Sequence, residues 1–435
     1  MNNLPYNNDY ETESKTENTQ DNSNSGFSKE ELDSIEYITP IKHKKHKHKH
    51  KHKKSSTENA KKMPDGADDF VFARPQKVSK KKHRKSKKRK VLKVLAIILA
   101  VISSILVVAV STVFVFHQIG KSAMHDYDDM VVKPSPQVDD ISSIDNSGKN
   151  ITYKGKKYTF NEDVTSVVLM GIDRAQLGAI DSVVGTGGQA DAIYIAVINT
   201  KTNDVSLLSV SRDTMVDVNV YSTDGNFIDT RNMQLCLSYA YGDGKHKSAE
   251  NTIVSLQRLF YGLQFDTYFA MDYEALMQLN DAVGGVTVTA NTDFFCHSQN
   301  RTVKKGETVT LYGKDAEQYI RARDLSKLDS NEARMERQRQ YISSFLSSVV
   351  PAAKEDLSVI TDLYNTVSAN STTNLTVSKL TYLATNVLTN MDSYKDIKFY
   401  NIDGTVKKGE TYAEFYANED ALMETMLNLF YEEVK

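Results

Sequence analysis

The 435-residue sequence has little cysteine and, beyond residue 150, little histidine. Its two cysteines, Cys236 and Cys296, allow at most one disulfide. Whether they pair or stay as thiols is open at this level, because pairing depends on distance. His246 and His297 are the only histidines after residue 150, and no C-x-x-C occurs, so no zinc site is expected. There is no internal repeat. Net charge is also nearly absent, at −2, but the total hides a split. Residues 1–90 carry 23 Lys/Arg against 13 Asp/Glu, whereas residues 91–435 carry 31 against 43. The two parts are built for different surroundings.

Charge is missing altogether from Val94 to Phe116, where Ser103, Ser104, Ser111 and Thr112 are the polar residues. A helix of that length rises roughly 34 Å, enough to cross a bilayer. The stretch lies too far into the chain, and runs too long, for a cleaved signal. Nine of the eleven residues from Lys80 to Lys90 are Lys or Arg. The excess of positive charge on that flank predicts a cytoplasmic N-terminus and an extracellular C-terminal part in a single-pass membrane protein. The expected organisation is a disordered basic tail over 1–90, a transmembrane helix over 91–118, an extracellular linker over 119–150, and a catalytic domain over 151–435. Within the tail, His46, His48, His50 and His52 alternate with lysines. That run suits either transition-metal binding or, more simply, contact with anionic lipid head groups. Charge alone would let the tail touch nucleic acid, but no helix-turn-helix pattern supports specific recognition.

From Ile151 onward strands and helices alternate. Short apolar runs predict strands at Val164–Gly171, Ala190–Ile198, Val205–Val210, Phe265–Met271, Val286–Ala290 and Asp396–Ile402. Helical spacing predicts helices at Ser248–Leu263, Tyr273–Val283, Lys314–Ile320, Asn331–Val350, Asp356–Val367, Val377–Leu388 and Asn418–Glu433. Residues 174–189, with four glycines, read as a mobile loop. The mixture predicts an α/β fold, a mixed β-sheet covered by helices on both faces.

Several strand ends carry chemistry. Asp173 closes the first strand in G-I-D-R, and Asp191 opens the second in Q-A-D-A. If these strands are antiparallel, the two carboxylates meet across a gap, where they are either ordinary turn residues or ligands for Mg²⁺ or Mn²⁺. Arg212-Asp213 closes the third strand, either as a structural ion pair or as an anion-binding arginine beside a base. Tyr319–Gln340 holds Arg321, Arg323, Arg334, Arg337 and Arg339. Arg321 and Arg323 share a side in extended chain, and Arg334, Arg337 and Gln338 share a helix face, with Arg339 on the other side. Guanidinium groups grip phosphate oxygens in pairs, so the stretch is either a phosphate clamp or a solvated charged helix.

In order, V-L-M-G-I-D-R, A-D-A-I-Y-I-A-V-I-N, L-L-S-V-S-R-D-T, L-N-D-A-V-G-G-V-T-V, Y-I-R-A-R and R-M-E-R-Q-R-Q resemble the LytR-CpsA-Psr family of bacterial cell-wall glycopolymer ligases. The resemblance implies a Mg²⁺-dependent phosphotransferase. It would move an anionic glycopolymer from a polyprenyl-diphosphate carrier to peptidoglycan at the membrane. It implies Asp173 and Asp191 as metal carboxylates. It implies Arg212, Arg321, Arg323, Arg334 and Gln338, with Arg337 on the same face, as diphosphate ligands. Asp213 would act in proton transfer, so that Arg212, Asp213 and Arg321 are the catalytic set. The family pattern has Arg-Ser where this chain has Gln189-Ala190, and Arg174 would supply the missing charge. The alternative is a protein that binds polyprenyl phosphate without turning it over.

Overall fold

The computed structural model describes residues 82–125, 141–145, 148–178, 183–202, 204–322, 330–356, 358–390 and 397–434. The histidine–lysine tail lies outside them, as does Arg323.

Helix α1 (Lys82–Ala123) is continuous, and every residue from Leu92 to Phe116 is exposed. A run this apolar with no protein against it suits lipid rather than water. The helix does not stop at the expected linker. Its last turns dock on a later helix, α7 (Val377–Asn390). His117 Nδ1 lies 2.8 Å from Thr385 Oγ1, and its ring lies 5.1 Å from that of Tyr382. A Cβ on Gly120 would sit 2.1 Å from the Ser378 carbonyl oxygen, so glycine is what lets the two helices touch. Met124 is buried, and His125 binds Asp266 through both its amide and its ring. Burial opposes charge on the His125 ring, but the Asp266 carboxylate raises its pKa above the ordinary value.

A strand, β1 (Ile141–Ile144), lies within the stretch expected to be linker and forms a meander with β2 (Asn150–Tyr153) and β3 (Lys156–Phe160). There follow β4 (Val164–Ile172), β5 (Ala190–Asn199), β6 (Val205–Val210) and a hairpin of β7 (Met215–Tyr221) with β8 (Phe227–Gln234). A 3₁₀ segment (Leu235–Tyr241) leads to α2 (His246–Leu259), β9 (Thr267–Met271) and α3 (Tyr273–Ala282). β10 (Val286–Thr289) pairs with β13 (Thr308–Leu311), enclosing β11 (Phe294–Cys296) and β12 (Arg301–Val303). Next come α4 (Lys314–Arg321), α5 (Ser330–Glu355), α6 (Ser358–Val367), β14 (Ser371–Thr373) and, after α7, β15 (Lys398–Asn401). The chain ends with a hairpin of β16 (Gly404–Lys408) and β17 (Ala413–Ala417), then α8 (Glu419–Phe430) and β18 (Tyr431–Glu433). The last helix was expected to reach Glu433; instead its final three residues pair with β3.

Six strands form the central sheet in the order β14-β9-β4-β5-β6-β15. β4, β5 and β6 run antiparallel, while β9 is parallel to β4 and β15 to β6, so the sheet is mixed as expected. Strand alternation gives it two unlike faces. One face, with Val168, Met170, Ile193, Ile195 and Leu208, is fully buried beneath α2 and α8. The other meets α5, α6, α7 and the end of α1, and there Leu169, Ala196 and Phe269 are only half-buried. A third cluster joins β10, β13, α4 and α5, with Tyr319 and Tyr341 inside it. It fixes α4 against α5, and α5 delivers Arg334 to the sheet.

Candidate active site

The antiparallel β4–β5 register sets Ile172 opposite Ala190. Asp173 and Asp191 therefore emerge side by side, as the strand reading anticipated. Asp173 is stitched to Gln189 in both directions: its amide donates to the Gln189 carbonyl, and its carboxylate accepts the Gln189 amide. Burial pushes the Asp173 carboxyl above the usual range, against the pull of the Gln189 amide, and the charge of Asp191 pushes the same way. These two carboxylates repel, which is the electrostatic signature a dication relieves. Among the described residues no group of three or more His, Cys, Asp or Glu gathers at one point. A hard ion here would need substrate oxygens or water to complete its shell.

Asp191 is the hub. One carboxylate oxygen accepts from Arg212 Nη1, and the other accepts from Arg334 Nη1 at 3.1 Å. Arg212 and Arg334 thus converge on one carboxylate, and with Asp213 against Arg212 the cluster is close to charge balance. Arg212 is held on every side. Its Nη2 donates to Gln189 Oε1, lies 2.9 Å from Cys236 Sγ, and its Nε is 3.5 Å from Asp213 Oδ1. Gln189 thus supports an arginine where the family pattern has one. Arg334, only 3% exposed, also donates from Nη2 to Asn331 Oδ1 at 2.7 Å, and Asn331 in turn donates to Ser211 Oγ at 3.0 Å. Asp213 is buried and accepts from Gln234 Nε2 at 3.3 Å.

Other predicted residues are distributed differently. Arg321 closes α4, half-exposed, with Nη1 on Glu317 and its guanidinium 3.9 Å above the centre of the Tyr273 ring. Arg337 is a correction. It is buried, and its Nε and Nη2 donate to the carbonyls of Tyr319 and Ala322, the C-terminal end of α4. A cation there complements the helix dipole and braces α4 against α5; it leaves no hydrogen-bond fork for a ligand. Gln338 is likewise engaged, accepting from the Tyr194 hydroxyl at 3.2 Å and donating to the Ile320 carbonyl at 3.4 Å. Arg174 donates to the Thr186 carbonyl within the glycine loop. Gly188 makes room for it, since at φ +96° a Cβ would sit 2.7 Å from the Arg174 side chain. Arg339 pairs with Glu336 on the far side of α5.

Cys236 and Cys296 are both buried free thiols and are not joined. Burial pushes the Cys236 thiol up to about 12, against the pull of Arg212, which keeps it from acting as a thiolate nucleophile.

Sequence reasoning missed Tyr273. Its hydroxyl is buried and has no protein partner, although buried polar atoms nearly always find one. The Arg174 Nε atom is in the same state. The backbone ties Tyr273 to Arg174, whose carbonyl accepts the Tyr273 amide at 3.1 Å. Burial raises the Tyr273 phenol, and the charges of Arg321, Asp191 and Asp173 all reach it. These two donors without protein acceptors, beside the converging Arg212 and Arg334, describe a receptacle for an oxyanion. The signal in the sequence was Asp272-Tyr273 following the strand that runs parallel to β4, which puts Tyr273 at the same sheet edge as Asp173.

The sequence profile of the LytR_cpsA_psr family matches residues 131–429. Biofilm regulatory protein A of Streptococcus mutans is 29% identical over 269 residues, covering 60% of this chain and 62% of that protein. The polyisoprenyl-teichoic acid–peptidoglycan teichoic acid transferase TagU of Bacillus subtilis is 28% identical over 281 residues, covering 64% of this chain and 80% of TagU. The crystal structure of protein gbs0355 from Streptococcus agalactiae superposes with a TM-score of 0.50 at 25% identity, over 61% of this chain and 86% of that one.

Proposed function

The chain belongs to the LytR-CpsA-Psr family, and from that membership we propose a membrane-anchored phosphotransferase that moves an anionic glycopolymer from a polyprenyl-diphosphate carrier to peptidoglycan. The observation that carries this reading is the convergence of Arg212 and Arg334 on Asp191, together with the unpartnered donors of Arg174 and Tyr273. TagU, named for transfer of teichoic acid to peptidoglycan, supplies the substrate class.

In this mechanism Arg212, Arg334, Arg174 and Arg321 receive the diphosphate oxygens. Their donors are in place before charge develops, which is where most of the rate comes from. An acceptor hydroxyl attacks the sugar-bearing phosphorus. The new O–P bond forms as the bond from that phosphorus to the bridging oxygen breaks, and the electron pair leaves on polyprenyl phosphate. Asp213, beside Arg212, takes the hydroxyl proton and later returns it to solvent. Mg²⁺, held by Asp173 and Asp191 with substrate oxygens, would neutralise charge on the diphosphate. The half-buried apolar sheet face around Leu169, Ala196 and Phe269 offers the polyprenyl chain a place beside the site. Helix α1 anchors the domain, with the basic Lys82–Lys90 end in the cytoplasm. A reporter fused after Lys435 should be active only outside the cell.

The direct test uses the full chain in nanodiscs with a short polyprenyl-diphosphate glycan, peptidoglycan and Mg²⁺. Release of polyprenyl monophosphate, matched by glycan on peptidoglycan, is expected. Binding without release would favour the second reading, a carrier-binding regulator, which the likeness to Biofilm regulatory protein A also fits.

A further inference from the structure

On the other side of Asp213 from Arg212 lies a cavity of about 500 Å³. It opens between the N-terminal half of α5, the ends of β6 and β15, and the β16–β17 hairpin. Its size falls in the range of pockets that take small organic ligands. We propose that this cavity is the acceptor subsite and that it takes a neutral glycan of N-acetylhexosamine type. The acceptor role rests on the phosphotransferase reading above; the glycan assignment rests on the lining.

The lining excludes the other chemistries on offer. Aromatic rings from Tyr194, Phe399 and Phe415 present flat apolar surface. Between them stand the carboxylates and amides of Asp213, Asn331, Asn401 and Asp403. A polyprenyl chain would take the exposed carboxylates of Glu332 and Asp403 out of water, at a cost in desolvation. A polyphosphate-linked polymer would meet Asp213, Glu332, Glu336 and Asp403 with Arg339 as the lining's cation, and Arg339 is already paired to Glu336. Like charges so placed repel it. A sugar ring suits the walls: apolar C–H faces for the rings, and hydroxyl or amide donors for the exposed carboxylates of Glu332 and Asp403. Phe399 is held as a platform, with the Arg339 guanidinium 5.9 Å from its ring centre.

Position gives the role. Asp213 forms the inner wall of the cavity and lies 3.5 Å from Arg212 Nε. Ser211 and Asn331 complete that wall, and Asn331 binds Arg334. A hydroxyl entering from the cavity therefore reaches Asp213 before it reaches the arginines. The donor phosphates occupy the cationic side and the glycan the anionic side, which keeps two polar substrates from exchanging places.

The test titrates two probes, chitotetraose and inorganic pyrophosphate, into the full chain in nanodiscs. Chitotetraose should bind the wild type. Phe399→Ala and Asp403→Asn should each weaken it at least tenfold and leave pyrophosphate unchanged. Arg334→Lys should do the reverse. Phe399 is half-buried and Asp403 exposed, and melting curves will verify that both variants fold. No chitotetraose binding, or equal binding by all variants, overturns the glycan assignment, as does tighter binding of poly(glycerol phosphate) to the same site. Failure of pyrophosphate alone, with the chitotetraose contrast intact, sinks the phosphotransferase reading and the acceptor role with it. In that case the cavity stays a glycan site.

Discussion

Replacing Arg334 with lysine separates a clamp from an ordinary ion network. The guanidinium makes charge-assisted bonds to Asp191 and to Asn331 from a side chain that is 3% exposed. Lysine keeps the charge but cannot serve both acceptors with the same fork. One charged hydrogen bond is lost in a buried place, so stability should fall by about 1.5–3 kcal/mol. Transfer loses one preorganised donor and should fall by about a hundred- to a thousandfold. Arg321→Lys is the control. Its ion pair with Glu317 is half-exposed and joins residues four apart on one helix. Such pairs contribute about 0.3–0.5 kcal/mol, so stability should barely move while transfer still falls at least about tenfold. Urea melts give stability, and release of polyprenyl phosphate gives transfer. The double variant with Asp191→Asn should be less than additive in stability, since both changes remove the same contact. A folded Arg334→Lys enzyme within about threefold of wild-type turnover would refute the clamp; that is under 1 kcal/mol of barrier.

Tyr273→Phe removes a buried hydroxyl that no protein group satisfies, so stability should hold or rise slightly while transfer slows by roughly tenfold to a hundredfold; unchanged kinetics would take Tyr273 out of the site. Asp173 has a raised carboxyl pKa in the folded state. Its contribution to stability is therefore full at low pH and lost as pH rises through that raised value. Asp173→Asn should lack this loss, melt higher than wild type at neutral pH, and show no further rise with added Mg²⁺, which a pH and Mg²⁺ series of melting curves would check. Gly120→Val should push α1 off α7, because its Cβ would meet the Ser378 carbonyl; hydrogen exchange along α7 should then speed up, and unaltered protection would contradict the docking.

The central strands were legible because each is a compact apolar run: β4, β5, β6, β9 and β15 lie where periodicity put them. The β7–β8 hairpin was missed, although Val216, Val218 and Val220 alternate with half-buried residues. That alternation was readable, but β8 is nearly all exposed, with the polar run Asp229–Asn232 at its centre, so its partner gave no alternating signal. At the site, the meeting of Asp173 with Asp191 followed from hairpin geometry alone. The fates of Arg334 and Arg337 did not. The two lie three residues apart on one face, yet one turns to the sheet and the other to the end of α4. Only the packing of α4 on α5 decides between them, through contacts far apart in sequence.

The docking of α1 on α7 makes the anchor a post where a leash was expected. Its 32-residue stretch Leu92–Ala123 rises about 48 Å, and a bilayer core takes up about 30 Å of that. The remaining 18 Å or so carries the docked turns through the head-group layer to the domain. With α1 crossing the membrane as proposed, the domain has a set height and a set tilt above the lipid. A leash would let the site wander through a hemisphere of solution, whereas a post confines it to a thin layer parallel to the bilayer. A carrier whose phosphates ride at the lipid surface is then sought in two dimensions, at high effective concentration. The wall polymer, which stands farther out, has to come down to meet it.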